Sequence, residues 1–158
     1  TRSSKDRVWQ ARKSVPEAIA SFYSRYTKED LVVPTAMVPT LLETVKEIAE
    51  ADGLEWIAYG HAGDGNMHCT IISPDCPEWH DRLHAAQEKI YSQVKTLGGT
   101  LSGEHGIGYK RRGYMKYFLD DSQLELIKRV KLAFDPQNIL NPGKLVDWEE
   151  EKNSSDNI

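Results

Sequence analysis

Two histidines, His61 and His68, stand on either side of a Gly63-Asp64-Gly65 turn in the stretch GHAGDGNMH. Imidazole is a common ligand of divalent metals. If residues 62–67 form the turn, the two histidines face each other at a hairpin mouth. Directly opposed residues put their Cβ atoms about 4.5–5.5 Å apart on one face of the sheet. Two imidazoles so placed can share an ion at about 2.0–2.1 Å per bond. Gly63 and Gly65 allow the positive φ angles of a tight loop, and Asp64 and Asn66 tolerate turn conformations. The same pattern also describes a plain hairpin with polar flanks, and two ligands do not complete a site.

A third ligand has to come from elsewhere. The stretch GEHGIG, residues 103–108, sets Glu104 beside His105 in a backbone-permissive loop. Its G-x-x-G-x-G order is not the dinucleotide fingerprint, and no βαβ unit surrounds it. Glu104 would complete the His2Glu set that catalytic zinc often uses. His105 would then stay unligated, free to act as a general base. The alternative is a solvated loop that happens to carry both residues.

The elements that must bring these loops together are read from apolar spacing. Residues 6–24 carry Val8, Val15, Ile19 and Phe22 on one helical stripe, with Pro16 predicting a kink or break. Residues 29–33 read as a short strand before Pro34. Thr35 caps a helix over 36–51 with Val38, Leu41, Leu42, Val45, Ile48 and Ala49 inward, ending at Gly53. Strands over 55–61 and 67–72 flank the Gly-Asp-Gly turn. Pro77 opens a helix carrying Leu83, Ala86, Ile90, Val94 and Leu97, which Gly98 and Gly99 stop. Residues 100–102 read as a fourth short strand. A last helix, with Leu124, Ile127, Val130 and Phe134 as its stripe, starts at a Ser122/Glu125 capping box and ends before Asp135-Pro136.

Strand, helix, strand, strand, helix, strand is the order of the ferredoxin-like split βαββαβ unit. The expected fold class is therefore α+β: an antiparallel sheet with helices on one face and additional N- and C-terminal helices. The other face must be covered or used.

At 158 residues, the chain can bury a single core. A net charge of −4 argues against nucleic acid as a partner. No apolar run approaches the roughly 20 residues of a transmembrane helix. The charged opening TRSSKDRVWQARK is unlike a signal peptide. Cys69 and Cys76 form no C-x-x-C pair, so a reduced cytoplasmic setting is expected. Residues 149–158 read as a polar tail following a domain over 1–148.

Three motifs together, GHAGDGNMH, GGTLSGEHGIG and FDPQNILNPGK, resemble the C-terminal domain of FAD-linked 2-hydroxy-acid oxidoreductases of the vanillyl-alcohol-oxidase type. The glycolate oxidase large flavin subunit is the nearest likeness, with D-lactate and D-2-hydroxyglutarate dehydrogenases next. The likeness runs from about Val8 to Leu145 and implies a ferredoxin-like sheet. It implies that His61, His68 and Glu104 hold a divalent metal (zinc, iron or manganese). It also implies that His105 takes the hydroxyl proton of a D-2-hydroxy acid while hydride goes to FAD.

By the same likeness, Arg12 anchors the substrate carboxylate, Lys28 binds substrate and Asn141 lies near the flavin. Read from the residues alone, Arg12 shares the apolar stripe of its helix, so its guanidinium points inward to a carboxylate of substrate or protein. Lys28 alone reads as a solvated lysine, and Asn141-Pro142-Gly143 as a turn. The run Lys110-Arg111-Arg112 reads as a solvated helix start, or as a contact for an acidic substrate or partner.

Two departures weigh against D-2-hydroxyglutarate. Pro16 stands where those enzymes have a hydroxyl residue, and Thr70 where they have asparagine. By this likeness the flavin is held mainly by an N-terminal domain, which is expected to lie outside this chain. The expected partners are that domain, the small hydroxy acid, and iron–sulfur or other electron-transfer subunits that could tether the protein peripherally to the inner membrane. The expected state of the chain alone is inactive, and a stand-alone metal-binding or assembly module is the other reading.

Overall fold

The computed structural model describes residues 2–145. The expected polar tail, 149–158, lies outside the described residues. Helix α1 spans Arg2–Phe22 and strand β1 Tyr26–Val32. A 3-10 turn over Thr35–Met37 leads into α2, Val38–Ala51. Strands β2, Glu55–His61, and β3, Asn66–Ile72, form the hairpin. Helix α3, Trp79–Thr96, follows, then the single turns α4, Gly108–Arg111, and α5, Met115–Phe118. Helix α6, Asp121–Phe134, closes the described fold.

The fold is α+β, and its antiparallel sheet has the order β1-β3-β2. Strand β3 is central and every one of its residues is buried. Alternation then sorts the sheet into two faces. Leu31, Met67, Cys69 and Ile71 face α2 and α3, where Leu41, Val45, Ala49, Leu83, Ala86, Ile90 and Val94 complete the core. Each such Val, Leu, Ile or Met side chain contributes roughly 1.5–3 kcal/mol on burial. Burial also pushes the Cys69 thiol up to about 12, so it behaves as a small apolar residue. The opposite face carries Lys28, Asp30, Tyr59, His61, Asn66, His68 and Thr70. A central strand that buries three polar residues on one face has set that face aside for something other than packing.

Several expectations need correction. Residues 100–102 form no fourth strand; one antiparallel bridge joins Thr100 to Val32 at the β1 edge. The Thr100 N–H donates to the Val32 carbonyl at 2.9 Å, and the glycines at 98, 99 and 103 leave too little regular chain to extend the ladder. Pro16 does not break α1, which runs through it. The stripe of α1 is mostly uncovered: Ile19 is buried, but Val8 is 70% and Phe22 82% exposed. Helical spacing reveals an apolar face but not what covers it. The N-cap of α6 is Asp120, not Ser122. Its carboxylate accepts from the Gln123 N–H at 2.8 Å, and the Gln123 carbonyl oxygen accepts from the Asp120 N–H at 3.0 Å. Thr35 opens the 3-10 turn rather than capping α2.

The run at 110–112 is also not simply solvated. Arg111 is buried, with Nε donating to Tyr91 Oη at 3.2 Å and Nη1 to the Gly106 carbonyl at 3.1 Å. Lys110 Nζ lies 2.8 Å from Glu29, a carboxylate buried on the core face. Glu29 also accepts from Tyr91 Oη at 2.5 Å and Gln87 Nε2 at 2.9 Å. This network ties the chain just after the GEHGIG loop to β1 and α3. No described helix is long and apolar enough to cross a membrane.

Candidate metal centre

The hairpin register sets the two histidines differently from the expectation. His61 pairs with Asn66, and His68 pairs with Tyr59 on one side and Asp30 on the other. The turn is therefore four residues, 62–65, and His61 and His68 are diagonal neighbours on the same face. Diagonal pairs sit further apart than opposed ones but remain within reach of long side chains. Their ring centroids are 5.8 Å apart, edge to face. Gly65 makes the short loop possible: its φ is +80° and a Cβ there would lie 2.0 Å from the Val33 carbonyl oxygen.

The second loop arrives because β1 captures it. The Asp30 side chain is fully buried, and its Oδ2 accepts from Ser102 Oγ at 2.7 Å. The same oxygen accepts from the backbone N–H groups of Gly103, Glu104 and His105, each at 2.9 Å. Gly103 lets the loop press against the sheet, for a Cβ there would meet Val32 Cγ2 at 2.5 Å and Asn66 Nδ2 at 2.7 Å. Burial alone would raise the Asp30 pKa. The hydrogen bonds from His105 N–H, Ser102 and Glu104 N–H outweigh it and hold the carboxyl well below its ordinary range.

The folded value is depressed, so the stability from Asp30 is full above the ordinary 3.8 and is lost as pH falls below it. Urea unfolding at about pH 5 and about pH 3 is expected to show wild type losing roughly 1 kcal/mol more than Asp30→Asn. Parallel losses in both proteins would refute this.

The loop delivers Glu104 to the histidines. Glu104 Oε1 lies 2.9 Å from His68 Nε2 and 4.0 Å from His61 Nε2. Two ligand atoms at about 2.1 Å from a tetrahedral ion are about 3.4 Å apart, and these distances bracket that value. The three ligand atoms lie within 4.8 Å of one another. His68 is buried, and burial pushes its pKa down against the opposing pull of Glu104 and Asp30. Neutral imidazole is the form that ligates. The donor set and its spacing fit a divalent metal.

His105 sits beside this group rather than in it. Its ring stacks on His68 with centroids 5.1 Å apart and planes 9° apart, and its Nε2 is 3.7 Å from Glu104 Oε1. Asp30, His68 and His105 form a second group of the same reach. Ring nitrogen lone pairs lie in the ring plane, so nearly parallel rings do not aim them at one point. Asp30 Oδ2 is moreover already committed to four donors. The group of His61, His68 and Glu104 is the better ion site.

The expected substrate cations occupy the same sheet face. The Arg12 guanidinium carbon lies 4.7 Å from the Tyr59 ring centroid, and Tyr59 stands 5.4 Å from the His68 ring. Arg12 thus points inward as expected, onto an aromatic face and not onto an acid. Lys28, two residues from Asp30, has Nζ 3.5 Å from the Pro16 carbonyl and 5.2 Å from the Tyr26 ring centroid. Asn141, with φ +52°, forms a turn closed by Lys144 N–H to its carbonyl at 3.3 Å. Among the described residues, Asn141 makes no hydrogen bond or ion pair with the cluster.

A family model for the C-terminal domain of FAD linked oxidases matches residues 1–145. The chain belongs to this family. This FAD-linked oxidase domain is 36% identical over 138 residues to the glycolate oxidase subunit GlcD of Bacillus subtilis, covering 86% of the chain and 29% of that protein. It is 38% identical over 141 residues to a D-lactate dehydrogenase of Anaerostipes hadrus, covering 87% and 30%. Against a D-2-hydroxyglutarate dehydrogenase of Stutzerimonas stutzeri, it is 33% identical over 143 residues, covering 87% and 30%. The chain thus spans about 30% of the length of these relatives.

Asp30 is the residue of this site that spacing alone did not single out. Two adjacent acids in a short apolar strand, Glu29-Asp30, were the available signal. One of them must project to each face, and neither is readily buried without partners.

Proposed function

We propose that this domain is the substrate- and metal-binding part of an FAD-dependent oxidoreductase. Its reaction is oxidation of a D-2-hydroxy acid of the glycolate or D-lactate type to the 2-oxo acid. The observation that carries this reading is the convergence of His61, His68 and Glu104, one ligand atom from each lying within 4.8 Å of the others', from a hairpin and a loop far apart in the chain. Those three atoms would hold a divalent ion, with zinc, iron and manganese all compatible with the set.

Bound there, such an ion would supply Lewis acidity toward the substrate hydroxyl, and the flavin would supply an acceptor for the carbon-bound hydrogen and its electron pair. His105 removes the hydroxyl proton. Its half-exposed ring can meet substrate, and stacking on buried His68 fixes its plane. Arg12 and Lys28 supply positive charge on the same face for the carboxylate, Arg12 being the better shaped for a bidentate pair. The flavin would come from an N-terminal domain, and the coverage of only about 30% of each relative leaves room for one. Electron-transfer subunits are the further partners of this reading.

Thermal melts of the domain test the substrate class. With Zn²⁺ present, millimolar D-lactate or glycolate is expected to raise the melting temperature, and the rise should vanish without metal or in Arg12→Ala. No rise with any 2-hydroxy acid, in either condition, would overturn the substrate reading.

A further inference from the structure

Asp30 has two carboxylate oxygens with different tasks. Oδ2 is saturated: Ser102 Oγ and the N–H groups of Gly103, Glu104 and His105 converge on it. Oδ1 is buried and has no hydrogen-bond partner. Across from it, 3.6 Å away, is His68 Nδ1, also buried and without a partner. Two facing polar atoms, one on a carboxylate and one on a ring nitrogen, are costly while unpaired. They stop being so if the ring carries its proton on Nδ1 and donates it across that gap. With an ion between the two, Nε2, which lies 2.9 Å from Glu104 Oε1, then offers it a lone pair; without one, that contact calls for a proton on Nε2.

We propose that Asp30 is the positioning residue of this site: one oxygen fixes the loop that carries Glu104 and His105, and the other holds the His68 proton on Nδ1 so that Nε2 is free to ligate. The proposal rests on the metal-site reading above and adds a residue to it. Histidine ligands commonly hand their second ring N–H to a carboxylate, which fixes tautomer and orientation and raises ligand basicity. A single buried carboxylate here performs that task and also clamps the other half of the donor set. The geometry ties both halves to one position in β1.

Asp30→Asn is the informative change. The amide keeps an acceptor for the loop but has lost the charge, and its NH2 can face His68 Nδ1. That would drive the ring proton to Nε2, the wrong nitrogen for ligation. Calorimetric titration of the domain with Zn²⁺ alone is expected to show affinity falling about 10- to 100-fold in Asp30→Asn. Unchanged affinity would overturn the proposal. Nitrogen-15 NMR of the zinc-loaded wild type supplies a readout that mere destabilisation would not move. A slowly exchanging, downfield ring proton on His68 Nδ1 is expected, shifting upfield in Asp30→Asn while the backbone amide spectrum is kept. Absence of that proton in the zinc-loaded wild type overturns the proposal, even if the variant does not fold.

His68→Ala separates the two readings. If wild type and His68→Ala take up zinc alike, the metal-site reading fails by itself. The Asp30 proposal fails with it if the amides of 103–105 then exchange equally fast in wild type and Asp30→Asn. Slow exchange in wild type alone would leave its loop-holding half standing and overturn its ligand-orienting half.

Discussion

Replacing His68 by alanine is expected to lower the zinc affinity of the domain by about a hundredfold or more, equivalent to at least ~2.7 kcal/mol of binding. The size follows from where the residue sits. His68 is buried on the central strand, whereas the side chains of His61 and Glu104 are each about half exposed. A buried imidazole loses little freedom on ligation and has few competing waters. His61 can swing on the end of its hairpin, so His61→Ala should cost less. Competition against a chromophoric chelator, together with metal analysis of the purified proteins, reads both effects. Equal zinc content in wild type and His68→Ala would refute the ligand assignment.

The second large effect is expected on the opposite face of the sheet. Glu29→Ala removes the acceptor shared by Tyr91 Oη and Gln87 Nε2, both within a buried cluster. Each donor left unsatisfied costs about 1–3 kcal/mol. The Lys110 side chain is 40% exposed and can turn to water, so its loss adds little. A total of about 3 kcal/mol follows, or a drop of roughly 6–12 °C in melting temperature for a domain of this size. Glu29→Gln, which keeps an acceptor, should recover part of it. Thermal unfolding of the three proteins measures this, and a loss under about 1 kcal/mol in Glu29→Ala would mean the cluster is not a structural tie. Arg111, which donates to Tyr91 and to the Gly106 carbonyl, carries any loosening forward into the GEHGIG loop.

Much of this was legible in the sequence because periodicity is a direct record of which side faces the core. Helices α2 and α3 kept their expected inward residues: Leu41, Val45, Leu83, Ala86, Ile90 and Val94 are all buried. The hairpin followed from turn chemistry, whereas element order alone did not bring GEHGIG to it. The hairpin's register did not follow, because a turn of four residues and one of six place His61 and His68 on the same face, and spacing alone cannot choose between them. The fourth strand was over-read since apolar residues flanked by glycines look alike whether they form a ladder or one bridge. The contributions of Glu29 and Asp30 were hidden for another reason. Hydrophobic patterning is silent about charges that are buried by specific partners, and the helix and loop partners lie at least 58 residues away.

The adjacency of those two acids also bears on how the sheet is assembled. In the observed pairing Glu29 lies opposite Cys69 and Asp30 opposite His68. Sliding β1 by a single position along β3 would trade the acids across the sheet. A carboxylate would then face the histidines without its four loop donors, and another would enter the Tyr91 cluster from the wrong carbon. The dipeptide works as a checksum on strand alignment: misthreaded chains are penalised on both sides at once, and Asp30 can hold the chemistry-bearing loop only in the correct frame.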